Sequence, residues 1–393
     1  MPSLENCEGE NLFNEEVGAL IDTLMELHKN SHQRLRESKE KAGKKVIGYF
    51  CWYTPKEVIL ASGAQPVMVC SSSDAIKISG AYVPHFTCNT CRSALDLSMG
   101  SNYDYLDGLV GCKVDDPWKT CYDVWELHVP HLYTHFVQMP SFTTADGASK
   151  FFIKELHLFK ASLETFMGTK ILDKDLQSSI QISNATRSIL RQLYEMRKND
   201  QPLISGTEML QVLAPSFSMP LEAYNDILTR IIKVLPQRSE RPAGEVRLMV
   251  VTSLCSGQIA EILREIERAD AVVVVETACH GLSNITRDIP EDGDPLSNIA
   301  YFYLNASACP AKVPTEGWIE QTLRSANEYK TQGVVFIIEK YCDPYGFVYP
   351  DLRDKLKQIG IPSIKIDTGE GYFPLAQVRT RIEALLEMVK GNV

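Results

Sequence analysis

The chain runs to 393 residues, 44% of them hydrophobic and 23% charged, with a formal net charge of −10. That length is too great for one ordinary core, so two domains with connecting helices are expected, and the composition is that of a soluble globular protein. The acidic balance, with no basic stretch against it, excludes a nucleic-acid-binding surface.

In chain order, the N-terminus Met1-Pro2-Ser3-Leu4-Glu5-Asn6 lacks the basic region and apolar core of a secretory signal. No apolar run reaches the length of a transmembrane span. The chain therefore reads as cytoplasmic, with no membrane partner. Residues 14–44 have the pattern of one amphipathic helix, with Val17, Leu20, Ile21, Leu24 and Leu27 at helical spacing. A βα pattern follows: a strand over 46–50, a helix opened by Thr54-Pro55-Lys56-Glu57, and a strand over 67–69. Two more strands fall at 106–110 and Tyr133–Val137. From 148 to 238 the periodicity is helical, with breaks near Asn199-Asp200-Gln201-Pro202 and at Pro215.

A second αβ block begins at Glu245, with strands over 247–252, 271–275, 333–338 and 363–366. Its helices cover 259–268, 317–331, 350–359 and 375–390. Strands alternating with helices imply βαβ units and parallel sheets. The fold class is therefore α/β: two Rossmann- or flavodoxin-like parallel-sheet domains, with an N-terminal helix and a helical insertion between them. The expected segments are an N-terminal helical one (1–44), a first α/β domain (45–147), a helical region (148–240) and a second α/β domain (241–393).

The eleven cysteines, an odd number, read as thiols or metal ligands rather than a disulfide framework. Four of them sit where an apolar strand meets a loop: Cys112, Cys255, Cys279 and Cys342. Ligands in open parallel sheets bind beyond the carboxyl ends of the strands, so thiols there can converge from distant parts of a chain. Such convergence makes a soft-metal site without a compact finger motif. Cys88-Asn89-Thr90-Cys91 could be a redox pair, a zinc half-site or a cluster half-site. Eight residues separate Cys112 from Cys121, an awkward spacing for the second half of a zinc site. Cys279 reads equally as a buried core thiol. Cys342 precedes Asp343-Pro344, which turns the chain straight after the thiol and presents it, and Cys309-Pro310 follows the same logic. Cys7, Cys51 and Cys70 read as bystanders.

Glu339 and Asp343 flank Cys342 and are the candidates for acid–base work, set against ordinary loop solvation. His128, His131 and His135 lie close in sequence but read as solvated or core histidines. Ser253-Leu254-Cys255-Ser256-Gly257 lacks the full nucleophile-elbow pattern. No dinucleotide or Walker signature occurs, so the chain is not expected to bind NAD or ATP itself.

Larger stretches carry a resemblance. Residues Gly48-Tyr49-Phe50-Cys51-Trp52-Tyr53-Thr54-Pro55-Lys56-Glu57, then Ala61-Ser62-Gly63-Ala64-Gln65-Pro66-Val67, are one such set. Cys88 with Arg92-Ser93 and Tyr105-Leu106-Asp107-Gly108-Leu109-Val110 follow, and Lys340-Tyr341-Cys342-Asp343-Pro344, Gly360-Ile361-Pro362 and Gln377-Val378-Arg379-Thr380-Arg381-Ile382-Glu383-Ala384 complete it. Together they resemble the benzoyl-CoA reductase / 2-hydroxyacyl-CoA dehydratase family over most of the chain from Lys44 onward.

The resemblance implies two αβ domains with a [4Fe–4S] cluster between them, held by three cysteines. These fall at Cys88, at a position four residues after Val110-Gly111, and at Cys342. The middle position is Asp115 here, so Cys112, Cys121 or Asp115 itself would take that role. The double-cubane relatives hold an [8Fe–9S] cluster with further cysteines. Cys279 and Cys309 lie where those relatives carry them, and Cys91 is additional. The resemblance further implies an acyl-CoA substrate, a separate ATP-hydrolysing iron–sulfur activator, and a homologous second subunit or a second copy of the chain. The activity implied is a low-potential one-electron reduction of the thioester, in an oxidoreductase or a lyase. The alternatives are a homodimeric double-cubane reductase of small molecules and a non-catalytic metal-binding or electron-transfer protein.

Overall fold

The computed structural model describes residues 4–71, 75–129, 133–242, 244–252, 258–278, 281–307, 309–369 and 374–391, with the side chains of 4–13 and 42 left aside. The first half comprises α1 (Leu4–Lys29), α2 (Ser31–Ala42), β1 (Val46–Tyr49), α3 (Lys56–Ala61), β2 (Gln65–Met68), α4 (Asn89–Met99), β3 (Gly108–Cys112), α5 (Asp116–His128) and β4 (Tyr133–Val137). Four helices follow: α6 (Ala148–Met167), α7 (Asp173–Glu195), α8 (Gly206–Leu213) and α9 (Leu221–Val234). The second half comprises β5 (Val246–Thr252), α10 (Gln258–Arg268), β6 (Ala271–Thr277), α11 (Pro295–Asn305), α12 (Glu316–Glu328), β7 (Gly333–Glu339), α13 (Asp343–Gln358), β8 (Ser363–Thr368) and α14 (Leu375–Gly391).

The strands make two four-stranded sheets, ordered β2-β1-β3-β4 and β6-β5-β7-β8, with every pairing parallel. Strands buried on both faces read as unbroken apolar runs, which is why Ala271–Thr277 and Gly333–Glu339 stand out in the sequence. One face of the first sheet packs on α3, α6 and α11, and the other on α4 and α5. The second sheet packs on α7, α9, α12 and α13 on one face and on α10 and α14 on the other. Residues of α11 belong to the first sheet's core, so the chain crosses back after β6, and Phe142 pairs with Val313 in an isolated parallel bridge. No helix among the described residues is long and apolar enough to cross a membrane.

Four expectations change. The single helix over 14–44 is two, because Asn30 (φ −91°, ψ 11°) leaves the helical conformation between α1 and α2. The strand expected at 106–110 starts at Gly108, because Asp107 accepts from the Val46 amide (2.9 Å) and pairs with Lys45 (3.3 Å) at the edge of β1 instead of extending β3. The helix expected from Pro350 begins at Asp343 and carries Pro350 inside it. Finally, α11 escaped the hydrophobic pattern because it is buried nearly all round; its readable signal is Asp294, whose carboxylate caps the Ser297 amide (2.7 Å), followed by Pro295. At Gly108 a Cβ would lie 2.4 Å from the Tyr133 carbonyl oxygen, so only glycine fits the β3–β4 pairing there.

His135 is partly buried and packed. Its ring stacks on Phe159 at 5.0 Å and 25°, while His128 packs against Tyr82, and His131 lies outside the described residues. Burial drops the His135 pKa from 6.5 to about 4. The unfolded chain therefore takes up this proton first as the pH falls, and the stabilisation present above about pH 6.5 is lost on the way down to about pH 4. His135→Phe should flatten that loss, which is on the order of 2 kcal/mol. Urea midpoints of both proteins at about pH 7 and about pH 5 check it; parallel pH dependence in the two would show that the His135 pKa is the same in the folded and unfolded chain.

Candidate functional site

In both sheets the chain order reverses between the two central strands, β1/β3 and β5/β7, and ligands bind beyond the strand ends at such switch points. β1 leads into Cys51, β3 ends at Cys112 and leads to Asp115, and β7 leads into Tyr341 and Cys342. Cys51 and Tyr341 both have φ of 66°, the left-handed region that a bulky side chain adopts only under constraint. Constrained backbones of this kind cluster at functional sites.

The ends of the two sheets meet here. Cys88 is the N-cap of α4 and Cys342 the N-cap of α13. Their thiols are hydrogen-bonded to each other, and the Asn89 amide donates to Glu339 Oε1 at 2.9 Å. Cys342 packs against the second sheet's core and against the α4/α5 core of the first.

Charge is unevenly shared in this group. Hydrogen bonds from Cys342 and then Cys91, aided by the Cys91 and Thr90 amides, hold the Cys88 thiol well below its ordinary pKa against the cost of burial. Cys342, which donates that hydrogen bond and so holds its proton, is pushed up, with burial adding to the effect. Burial, then the negative charge at Cys88, raises Cys91 well above its ordinary value and takes Cys121 to about 12. Asp115 caps α5 by accepting from the Trp118 amide (3.0 Å), yet burial lifts its carboxyl to about 7, with Cys88 contributing. Of this group Cys88 is the thiol pushed down, and Cys342, Cys91 and Cys121 are pushed up.

A second thiol group lies on the other face of the first sheet. Side chains alternate along a strand. Cys112 accordingly packs with α6 and α11, whereas Cys88, Cys91 and Cys121 pack with α4 and α5. Cys51 and Cys309 join Cys112 on its side, around the buried ammonium of Lys312, which donates to the Lys113 carbonyl at 2.8 Å. Burial lowers the Lys312 pKa, and Cys112, Cys51, Cys309 and Asp115 draw it back up. Cys309 also lies within electrostatic reach of Cys342.

The structure therefore brings together Cys88, Cys91, Cys121, Asp115 and Cys342, and separately Cys112 and Cys309. Cys91 is in the first turn of α4. Cys279 and Cys255 lie outside the described residues. Cys70 has its amide hydrogen-bonded to the Tyr103 hydroxyl (3.1 Å), and all described cysteines are free thiols. Glu339 is buried and accepts from Asn89 and from Thr368 (2.7 Å), with burial raising its pKa. Asp343 is exposed and, with Glu339, Tyr341 and Cys342, lines an open cleft of about 480 Å³. Asn89 and Lys312 were not legible as site residues. Asn89 could have been flagged by its place inside the Cys88/Cys91 pair, but nothing local marks Lys312. Among the described residues, no three Cys, His, Asp or Glu side chains close round one point as the ligands of a single metal ion do.

Two doubly wound parallel sheets whose strand ends gather buried thiols beside an open cleft define an α/β protein with a thiol-rich centre between its halves. The 2-hydroxyglutaryl-CoA dehydratase, D-component, family model matches residues 51–389, and the chain belongs to that family. It is similar to the (R)-phenyllactyl-CoA dehydratase beta subunit of Clostridium sporogenes, 23% identical over 358 residues, covering 91% of this chain and 95% of that protein. A benzoyl-CoA reductase subunit of Thauera aromatica is 22% identical, covering 88% and 91% of the two chains. The (R)-2-hydroxyglutaryl-CoA dehydratase beta subunit of Acidaminococcus fermentans is 22% identical, covering 94% and 99%. The resemblance drawn from the sequence motifs holds, and the chain is an enzyme of the oxidoreductase or lyase type.

Proposed function

We propose that the chain is the iron–sulfur subunit of an acyl-CoA dehydratase or reductase, with Cys88, Cys121 and Cys342 holding a [4Fe–4S] cluster. The observation that carries this reading is the contact between Cys88 and Cys342, which joins thiols that follow from the two sheets. The donor set fits: buried thiols suit iron–sulfur ligation, and a cube bound at its corners takes its thiolates farther apart than one ion does. When bound, the cluster supplies the low-potential electron that a thioester needs and side chains cannot provide.

The chain's own residues do the rest. Asn89 and Thr368 fix the Glu339 carboxylate beside Cys342. Asp343 stands at the cleft, where it can exchange a proton with an acyl group. The apolar packing of Cys88, Cys91 and Cys121 excludes water from the thiols, and burial of this kind tunes a cluster's potential. By analogy with relatives named as subunits of dehydratases and of a reductase, a homologous second subunit or a second copy works beside it; the chain's lack of a nucleotide signature leaves delivery of the electron to a separate ATP-hydrolysing activator. The cytoplasm, where thiols stay reduced, is the compartment that suits it.

A second reading, a double-cubane [8Fe–9S] reductase, draws on the reach of Cys309 toward Cys342 and on the group around Lys312; Cys279 would belong to it as well. Iron and sulfide analysis of anaerobically purified protein tests both: about four irons per chain supports the first and about eight the second. Zinc near one per chain with no iron would refute both. Coenzyme A thioester binding in the same preparation separates the acyl-CoA enzyme from an electron-transfer protein.

A further inference from the structure

A small polar cavity of about 50 Å³ lies between the end of β1, the start of α3, α7 and the segment around Asn284. It is separate from both thiol groups and stands whether or not the chain holds a cluster. Three of its walls carry polar groups without partners. Asn284 is 5% exposed, and neither its side-chain nitrogen nor its oxygen meets a hydrogen-bond partner. Ser183 is 2% exposed, and its hydroxyl is likewise unpartnered. Lys56 lines the same space and forms no ion pair or side-chain hydrogen bond among the described residues.

The charges decide what could sit there. Arg187 lines the cavity too, but Glu57 neutralises it: their side chains pair at 2.7 Å, and the Tyr303 hydroxyl donates to the other Glu57 oxygen at 2.8 Å. The second Arg187 nitrogen is held by Asn184 at 2.8 Å. Glu57 lies within electrostatic reach of Lys56 too, so one carboxylate faces two cations and the wall keeps one net positive charge, at Lys56, which makes no ion pair of its own. Buried polar groups left unpaired are costly, and buried charges are normally paired. A ligand that brings one negative charge and accepts hydrogen bonds would pair the Lys56 ammonium, the Ser183 hydroxyl and the Asn284 side-chain nitrogen. Trp52 supplies an apolar wall, and the volume matches about three or four waters, or one carboxylate with a short apolar stub.

We propose that this cavity is a binding site for a small carboxylate, held by Lys56, Ser183 and Asn284. A free short-chain acid and the far end of an acyl thioester share this chemistry.

Ligand-observed NMR and calorimetry on the full chain, with acetate, acetamide, inorganic phosphate and succinyl-CoA, test the site. Acetate should bind saturably and acetamide should not. Lys56→Gln should weaken acetate by about tenfold or more, the worth of a hydrogen bond to a charged group. Ser183→Ala should weaken it by a smaller factor. Succinyl-CoA displacing acetate identifies the site as the acyl chain's end; independent binding of acetate identifies a free acid as the ligand. Absent acetate binding, equal binding of acetamide, phosphate binding where acetate does not, or wild-type affinity in Lys56→Gln would each overturn the assignment. Lys56 is only partly buried, so its replacement should fold, and a circular dichroism melt checks this. If it does not fold, the acetate–acetamide contrast in the wild type and the Ser183→Ala affinity decide the matter.

Discussion

Cys342→Ala and Cys88→Ala, purified without oxygen, should each come off the column without the brown colour and iron of the parent, while keeping its far-ultraviolet circular dichroism. The expectation rests on the two thiols occupying helix N-caps on different sheets and sharing one hydrogen bond. Removing Cys88 removes the thiol whose pKa its neighbours lower, the one most readily deprotonated of the group. Removing Cys342 takes away the donation to Cys88 and the thiol that seats against both cores. Cys70→Ala is the control: the Cys70 amide, not its thiol, makes the bond to Tyr103, so iron should be unchanged. Cys309→Ala separates the nuclearities, since a double cubane needs about six thiolates and would lose about half its iron, whereas a single cube would lose none. Full iron in Cys342→Ala would sink the ligand assignment.

What the sequence showed and what it hid have a common cause. Apolar runs reported the strands well, because parallel strands are buried on both faces and need no alternation. Cys88 was legible from its spacing to Cys91, and Cys342 because a proline follows and presents it. Their partners were not, because they depend on which face of a sheet or helix a residue takes. Cys112 and Cys121 are near in sequence, yet strand alternation sends Cys112 to the α6/α11 side while α5 carries Cys121 back toward Cys88. Spacing alone made that pair look like an awkward half-site. Lys312 gathers its cysteines only through tertiary packing, and Asn30 breaks the first helix without the usual glycine or proline signal.

Arg197→Met should destabilise the fold by about 3–5 kcal/mol, the usual cost of removing one member of a buried ion pair. Arg197 is fully buried; it binds Glu276 Oε2 at 2.6 Å and the Val273 carbonyl at 2.8 Å, and the Tyr194 hydroxyl binds the other Glu276 oxygen. The pair fastens the end of α7 to β6, the edge strand of the second sheet. Losing the guanidinium strands the Glu276 carboxylate in an apolar setting, where its charge has no compensation. Replacing both members by apolar side chains of similar bulk removes that stranded charge, so Arg197→Met/Glu276→Leu should recover much of the loss. The single and double variants, compared by urea denaturation, give the coupling directly, because contacting residues depart from additivity. A double variant as unstable as the sum of its two single variants would mean that packing around α7, not the ion pair, sets the stability there. In that case the full burial of Arg197 would have to be explained by packing, including its guanidinium carbon 5.3 Å from the Tyr194 ring centroid.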